Sequence, residues 1–261
     1  MATGGGGGDG AGTMDRLSSL PDEVLRLFSA EAAAQTSLLS RRWRHLWTTL
    51  PELEFKSDIK LAAVRAALAA HAAPAIRRLQ IMGGCRYLME AIHKLATIEI
   101  MSLELSTRGH AFGHCVFHLL KMSTGIRKLK LALRGRLKDS QKQTDVVSKW
   151  FLGHSAKTRC SPTCICNQPQ AWKTEDIFLD SLREVEISGL RGSEHELAFV
   201  KQLFRWAAFL KTLKVHLHLD LTVGDDLCKE LLSLGTPDTD VKIYFFQAKT
   251  RPPWVLYTPV E

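Results

Sequence analysis

Three cysteines fall within seven residues, Cys160, Cys164 and Cys166, with His154 six residues before the first. Thiolates and imidazoles are zinc ligands, and a structural zinc takes four of them, as a rule from paired motifs. The chain has no second cysteine pair and this spacing is not a usual one, so no metal is expected. Pro162, Pro169 and the polar residues around them read instead as a loop. Among the ten histidines, His216 and His218 alternate with Val215, Leu217 and Leu219 and read as surface residues on one face of a strand. There is no Gly-x-Ser-x-Gly elbow, His-Glu-x-x-His pair or phosphate-binding loop. No catalytic residue and no cofactor is expected.

The chemistry that remains is charge. From Lys121 to Lys142 the chain carries eight cations, among them Arg127, Arg136 and Lys138, against Asp139 alone. Within this stretch Lys128, Lys130 and Arg134 alternate with Leu129, Leu131 and Leu133, so the three cations share the face opposite the leucines. Such a face can cradle an acidic or phosphorylated protein segment, and these three are the candidate substrate-binding residues. The formal net charge is +8 and the pI about 9.3. Nucleic acid is nevertheless not the expected partner, because the basic stretch lacks the interleaved aromatics of a single-strand surface. No apolar run approaches the roughly 20 residues needed to cross a bilayer, so no membrane association is expected.

These residues must be positioned by strands, and the strand pattern repeats. Leu53 to Phe55, Ile76 to Ile81, Ser102 to Ser106, Ile126 to Leu131, Leu182 to Ile187, Leu210 to Val215 and Val241 to Phe245 all alternate. Matching the second inward residue of the last six gives positions 81, 105, 131, 187, 215 and 243, in steps of 24, 26, 56, 28 and 28. A strand period in the twenties is the leucine-rich-repeat signature. The step of 56 is twice 28, so a strand is missing from the set or replaced by an insertion. Helices are expected over 59–73, 111–122, 194–210 and 224–234. Stacked strand–helix units would share a core that no single unit could bury, with the strands lining a concave binding face.

The N-terminal part reads differently. Leu20-Pro21-Asp22-Glu23 is a helix start, with proline in the first turn and carboxylates at the positive end of the dipole. Leu39, Trp43, Leu46 and Trp47 form one apolar stripe, and Pro51 stops the run. The string from Asp15 to Leu25 and the string Ser37-Leu38-Leu39-Ser40-Arg41-Arg42-Trp43-Arg44-His45-Leu46-Trp47 resemble the two ends of a plant F-box. The resemblance covers Asp15 to Pro51 and implies a helical module that docks on the SKP-type adaptor of an SCF ubiquitin ligase. Leu20, Pro21, Val24, Leu25, Leu39, Trp43 and Trp47 would supply its apolar contacts. The middle, Leu27 to Gln35, is about four residues shorter than the family pattern and lacks its proline. Each large apolar side chain so lost removes roughly 1.5–3 kcal/mol of burial. The run from Leu182 to Glu196 resembles the start of an FBD domain: a strand, a glycine-bearing turn at Gly189 and Gly192, then a helix capped by Ser193 with Glu196 three residues on. That helix would present Leu197, Val200, Leu203, Phe204 and Ala207 on one side.

The expected architecture is α/β: a short N-terminal helical F-box module followed by an irregular leucine-rich-repeat solenoid of strands and helices. Its parts are a Gly-rich tail (1–13), the internally shortened F-box-like module (14–51), degenerate repeats (52–175) with a cysteine-containing loop near 153–175, an FBD-like repeat end (176–250) and a tail (251–261). Residues 1–13 lack the basic start and apolar stretch of a secretory signal, so reduced thiols and a cytoplasmic or nuclear setting are expected. The resemblance implies a non-catalytic substrate-recognition subunit. Its partners would be the SKP-type adaptor, through it a cullin, and an acidic or phosphorylated protein substrate. The alternative is a repeat-built binding or scaffold protein whose shortened F-box no longer assembles into a ligase.

Overall fold

The computed structural model describes residues 46–55, 61–92, 94–107, 110–134, 171–219, 221, 225–247, 250–251 and 253–259. The Gly-rich tail, the F-box-like module before residue 46 and the cysteines at 160, 164 and 166 lie outside the described residues. The end of the module is a 3-10 turn, Leu46–Thr49, followed by the buried Leu50.

Eight strands form one sheet in chain order: β1 (Glu52–Phe55), β2 (Ala75–Gly83), β3 (Thr97–Ser106), β4 (Lys128–Arg134), β5 (Glu184–Leu190), β6 (Thr212–Leu217), β7 (Asp240–Phe246) and β8 (Trp254–Leu256). The first seven run parallel, and β8 turns back antiparallel to β7. Parallel neighbours need crossovers, usually helical. These are α1 (Leu61–Ala70), α2 (Cys85–Ala91), α3 (Gly113–Met122), α4 (Glu194–Trp206) and α5 (Asp225–Ser233). The helices stack as the strands do: α1 on α2, α2 on α3, and α3 on α4.

Alternation dictates which face is covered. Leu53, Leu79, Met101, Leu129, Val185, Leu213 and Val241 form one inward row across the sheet. Phe55, Ile81, Leu103, Leu131, Ile187, Val215 and Ile243 form the next, and all of these are buried. Ile81 therefore pairs with Leu103, not Leu105, and the steps from β1 onward are 26, 22, 28, 56, 28 and 28. Met101, Leu103 and Leu105 all point inward, so alternation alone fits several registers.

The step of 56 is an insertion, because β4 pairs directly with β5. Strand β4 ends at Arg134, and the chain is next described at a 3-10 turn, Ala171–Lys173, that packs against α3 and α4. Trp172 is fully buried there, 6.1 Å from Phe199 and 6.5 Å from Trp206 between ring centres. Gly113 makes room for its indole: a Cβ there would stand 2.6 Å from the ring. The Gln202 amide donates to the Trp172 carbonyl (3.2 Å), and the Trp206 indole N–H donates to the Glu175 carbonyl (3.3 Å).

Three further expectations are amended. Gly189 lies within β5 rather than in a turn; its φ of +81° makes a bulge where the pairing with β6 shifts register. The buried side of α4 includes Phe199 and Trp206 beside Val200, Leu203 and Ala207, while Leu197 and Phe204 are half-buried at its margin. Glu196 caps α4 as expected, its carboxylate accepting from the backbone N–H of Ser193 (2.9 Å) and Arg191 (3.0 Å). At the far end, residues 251–261 are not only a tail, since β8 closes the sheet. The Tyr257 hydroxyl donates to Asp225 of α5, which pushes the phenol up to about 12.

Candidate functional site

The face opposite the helices is polar, no described helix covers it, and the strand register arranges it in rows. One row reads Glu52, Arg78, Ile100, Lys128, Glu184, Thr212 and Asp240. The next reads Glu54, Gln80, Ser102, Lys130, Glu186, Lys214 and Lys242. In the third, Glu104, Ala132, Ser188, His216 and Tyr244 follow one another from β3 to β7.

Lys128, Lys130 and Arg134 share this face, as their spacing requires. Each also meets a carboxylate from a neighbouring strand: Lys128 with Glu184 (2.6 Å), Lys130 with Glu186 (3.4 Å) and Arg134 with Glu104 (2.9 Å). Lys242 is paired with Asp240 of its own strand at 2.5 Å, and Arg78 with Glu52 at 4.0 Å. The hydrogen bond from Lys128 holds the Glu184 carboxyl below its usual range, with the charges of Lys214 and Lys130 adding to it. The face is thus a lattice of alternating charge, not a bare basic cradle. Exposed pairs of this kind contribute about 0–1 kcal/mol each to stability.

The sequence did not single out what stands at one end of this face. His216 stacks on Tyr244, ring centres 4.8 Å apart at 13°. Trp254 of β8 meets the His216 ring edge-on at 5.0 Å, and Phe246 meets Trp254 at 5.6 Å. Antiparallel pairing of Phe246 with Trp254 and of Tyr244 with Leu256 puts these side chains on the same side of the sheet. His216 is therefore half-buried rather than a plain surface residue. Burial pushes its imidazole below the ordinary value, Lys214 acting in the same direction and Glu186 against it. His218 lies beyond the end of β6, where its ring contacts the Arg191 guanidinium at 2.5 Å. The alternation of His216 with valine and leucine was the available signal, but its aromatic neighbours come from residues 28 to 38 positions further on.

Of the expected adaptor contacts, Leu20, Pro21, Val24, Leu25, Leu39 and Trp43 lie outside the described residues, and Trp47 falls in the 3-10 turn. Among the described residues no group of three or more His, Cys, Asp or Glu is placed to hold a metal ion. Nor is any described helix long and apolar enough to cross a membrane.

Among the described residues, a mostly parallel sheet laid down strand by strand in chain order, with helices packed on one face, is an α/β architecture. Comparison with known proteins narrows the class. An F-box/LRR-repeat protein of Arabidopsis thaliana is 40% identical over 80 residues, covering 26% of this chain and 22% of that protein. Another is 47% identical over 51 residues, 18% of this chain and 11% of its own length. An F-box/FBD/LRR-repeat protein of the same plant is 50% identical over 48 residues, 17% of this chain and 11% of its own length. Over these stretches the chain is similar to plant F-box/LRR-repeat and F-box/FBD/LRR-repeat proteins. It spans only 11% to 23% of the length of the first curated relatives it matches. No protein-family model matches the chain, and no solved structure does.

Proposed function

We propose that the chain is the non-catalytic substrate-recognition subunit of an SCF-type ubiquitin ligase. The F-box-like module (14–51) would dock on a SKP-type adaptor, and through it a cullin, using Leu20, Pro21, Val24, Leu25, Leu39, Trp43 and Trp47. The degenerate leucine-rich repeats and FBD-like end would present a protein substrate on the open strand face, in the cytoplasm or nucleus. The observation that carries this reading is the conjunction of F-box/LRR relatives with a sheet whose polar face no described helix covers. Co-purification of the full chain with a SKP-type adaptor tests it. Capture that is lost in a Leu20→Asp, Trp43→Ala variant is expected; a chain that captures no adaptor, even with the family-length middle restored between Leu27 and Gln35, ends the reading. Capture by the restored chain alone favours the second reading, a repeat-built scaffold that no longer assembles into a ligase, which the short middle segment supports.

A further inference from the structure

We infer that the aromatic cluster of His216, Tyr244, Phe246 and Trp254, together with Lys214, is the substrate-contact centre of the open face and takes an extended acidic–apolar protein segment. The inference rests on reading that face as the substrate side. Three observations carry it. First, Lys214 is the cation of this face that has no ion pair among the described residues, whereas Arg78, Lys128, Lys130, Arg134 and Lys242 are each matched by a carboxylate. It lies between Glu186 of β5, which is held by Lys130, and Lys242 of β7, which is held by Asp240, so its ammonium is left to meet a ligand's carboxylate. Second, the cluster adjoins it: Lys214 and His216 are alternate residues of β6, and Lys242 and Tyr244 are the same pair on β7. Third, the patch keeps apolar surface in water, with Phe246 38% and Leu256 43% exposed.

The geometry defines the ligand. Alternate residues of a strand point to the same side about 7 Å apart. An extended segment with Asp or Glu two positions from Trp, Phe or Leu would therefore set its carboxylate at Lys214 and its apolar side chain over His216 and Tyr244, one alternate position along, against the Trp254 ring that meets His216 at 5.0 Å. Single-stranded nucleic acid also seeks lysines beside aromatic rings. Here Glu184, Glu186 and Asp240 alternate with the lysines, so among the described residues the face offers one unmatched ammonium and no continuous run of positive charge for a run of phosphates.

The test is panning a random dodecapeptide library on the full chain. Enriched peptides are expected to carry Asp or Glu two residues from Trp, Phe or Leu. Their affinity should fall at least about tenfold in Lys214→Glu and in Trp254→Ala, and stay unchanged in Lys201→Ala on the helix side. Replacing the peptide's acidic residue with Lys should restore binding to the Lys214→Glu chain. Circular dichroism of each variant guards against unfolding. No enrichment, peptides without an acidic residue, selected peptides indifferent to both substitutions, or an oligouridylate that binds more tightly than every selected peptide would each overturn the inference. Adaptor capture by the same variants keeps the two readings apart: peptide selection without adaptor capture removes the ligase and leaves this surface standing.

Discussion

Any residue but glycine at position 189 would drive its Cβ into the Leu133 carbonyl oxygen of the neighbouring strand, and would have to hold a φ of +81° to do so. Gly189→Ala should therefore cost about 1–3 kcal/mol from the backbone alone, with the collision added, and a lowered Tm is the measurement. Protonation acts at the same scale. Burial lowers the imidazoles of His114, His195 and His216 below the ordinary value of 6.5. As pH falls through 6.5 the unfolded chain binds protons that the folded chain refuses. The stability held by these neutral rings is full above that pH and drains away as it falls to the lower folded values. Melts from pH 8 to 5 should show this loss, and His216→Phe should shallow it; a slope unchanged in that variant would mean the ring is not desolvated. That Lys128, Lys130 and Arg134 share a face was legible from alternation. That each is neutralised was not, because Glu184 lies 56 residues from Lys128 and only the pairing of β4 with β5 brings the two together.

Among the elements, the return from the insertion is the most heavily tied. Trp172 has no place in any strand or helix pattern, yet it fills the space between Gly113, Phe199 and Trp206. Trp172→Ala should destabilise by about 3–5 kcal/mol, read as a shifted denaturation midpoint; a loss under 1 kcal/mol would show the neighbouring rings closing over the gap. The strands β2 to β7 announced themselves in sequence because one face must be apolar and the other wet. Their register did not, since a shift of two residues keeps every side chain on its proper side. Strand β8 was missed because three residues behind Arg251, Pro252 and Pro253 are too few to show a period. Its place is set by distant partners, the Tyr244 pairing and the bond from Tyr257 to Asp225.

At the scale of the molecule, each strand touches only its sequence neighbours in the sheet, so stability is built from local units and the interfaces between them. Removing residues 225–261 strips the cover from β6 and should sharply accelerate hydrogen exchange at Leu213 and Val215, while β2 and β3 keep their protection. Equal loss throughout would show one indivisible cooperative body instead. The direct pairing of β4 with β5 carries a practical corollary. The Arg183 and Glu184 N–H groups both donate to the Arg127 carbonyl (2.9 and 3.1 Å), so the seam is stitched by residues on either side of the excursion. The strand register on both sides of positions 135–170 is accordingly written elsewhere in the chain, so a protein engineer who exchanges that stretch for a reporter or a capture tag should find β4 and β5 still paired as before.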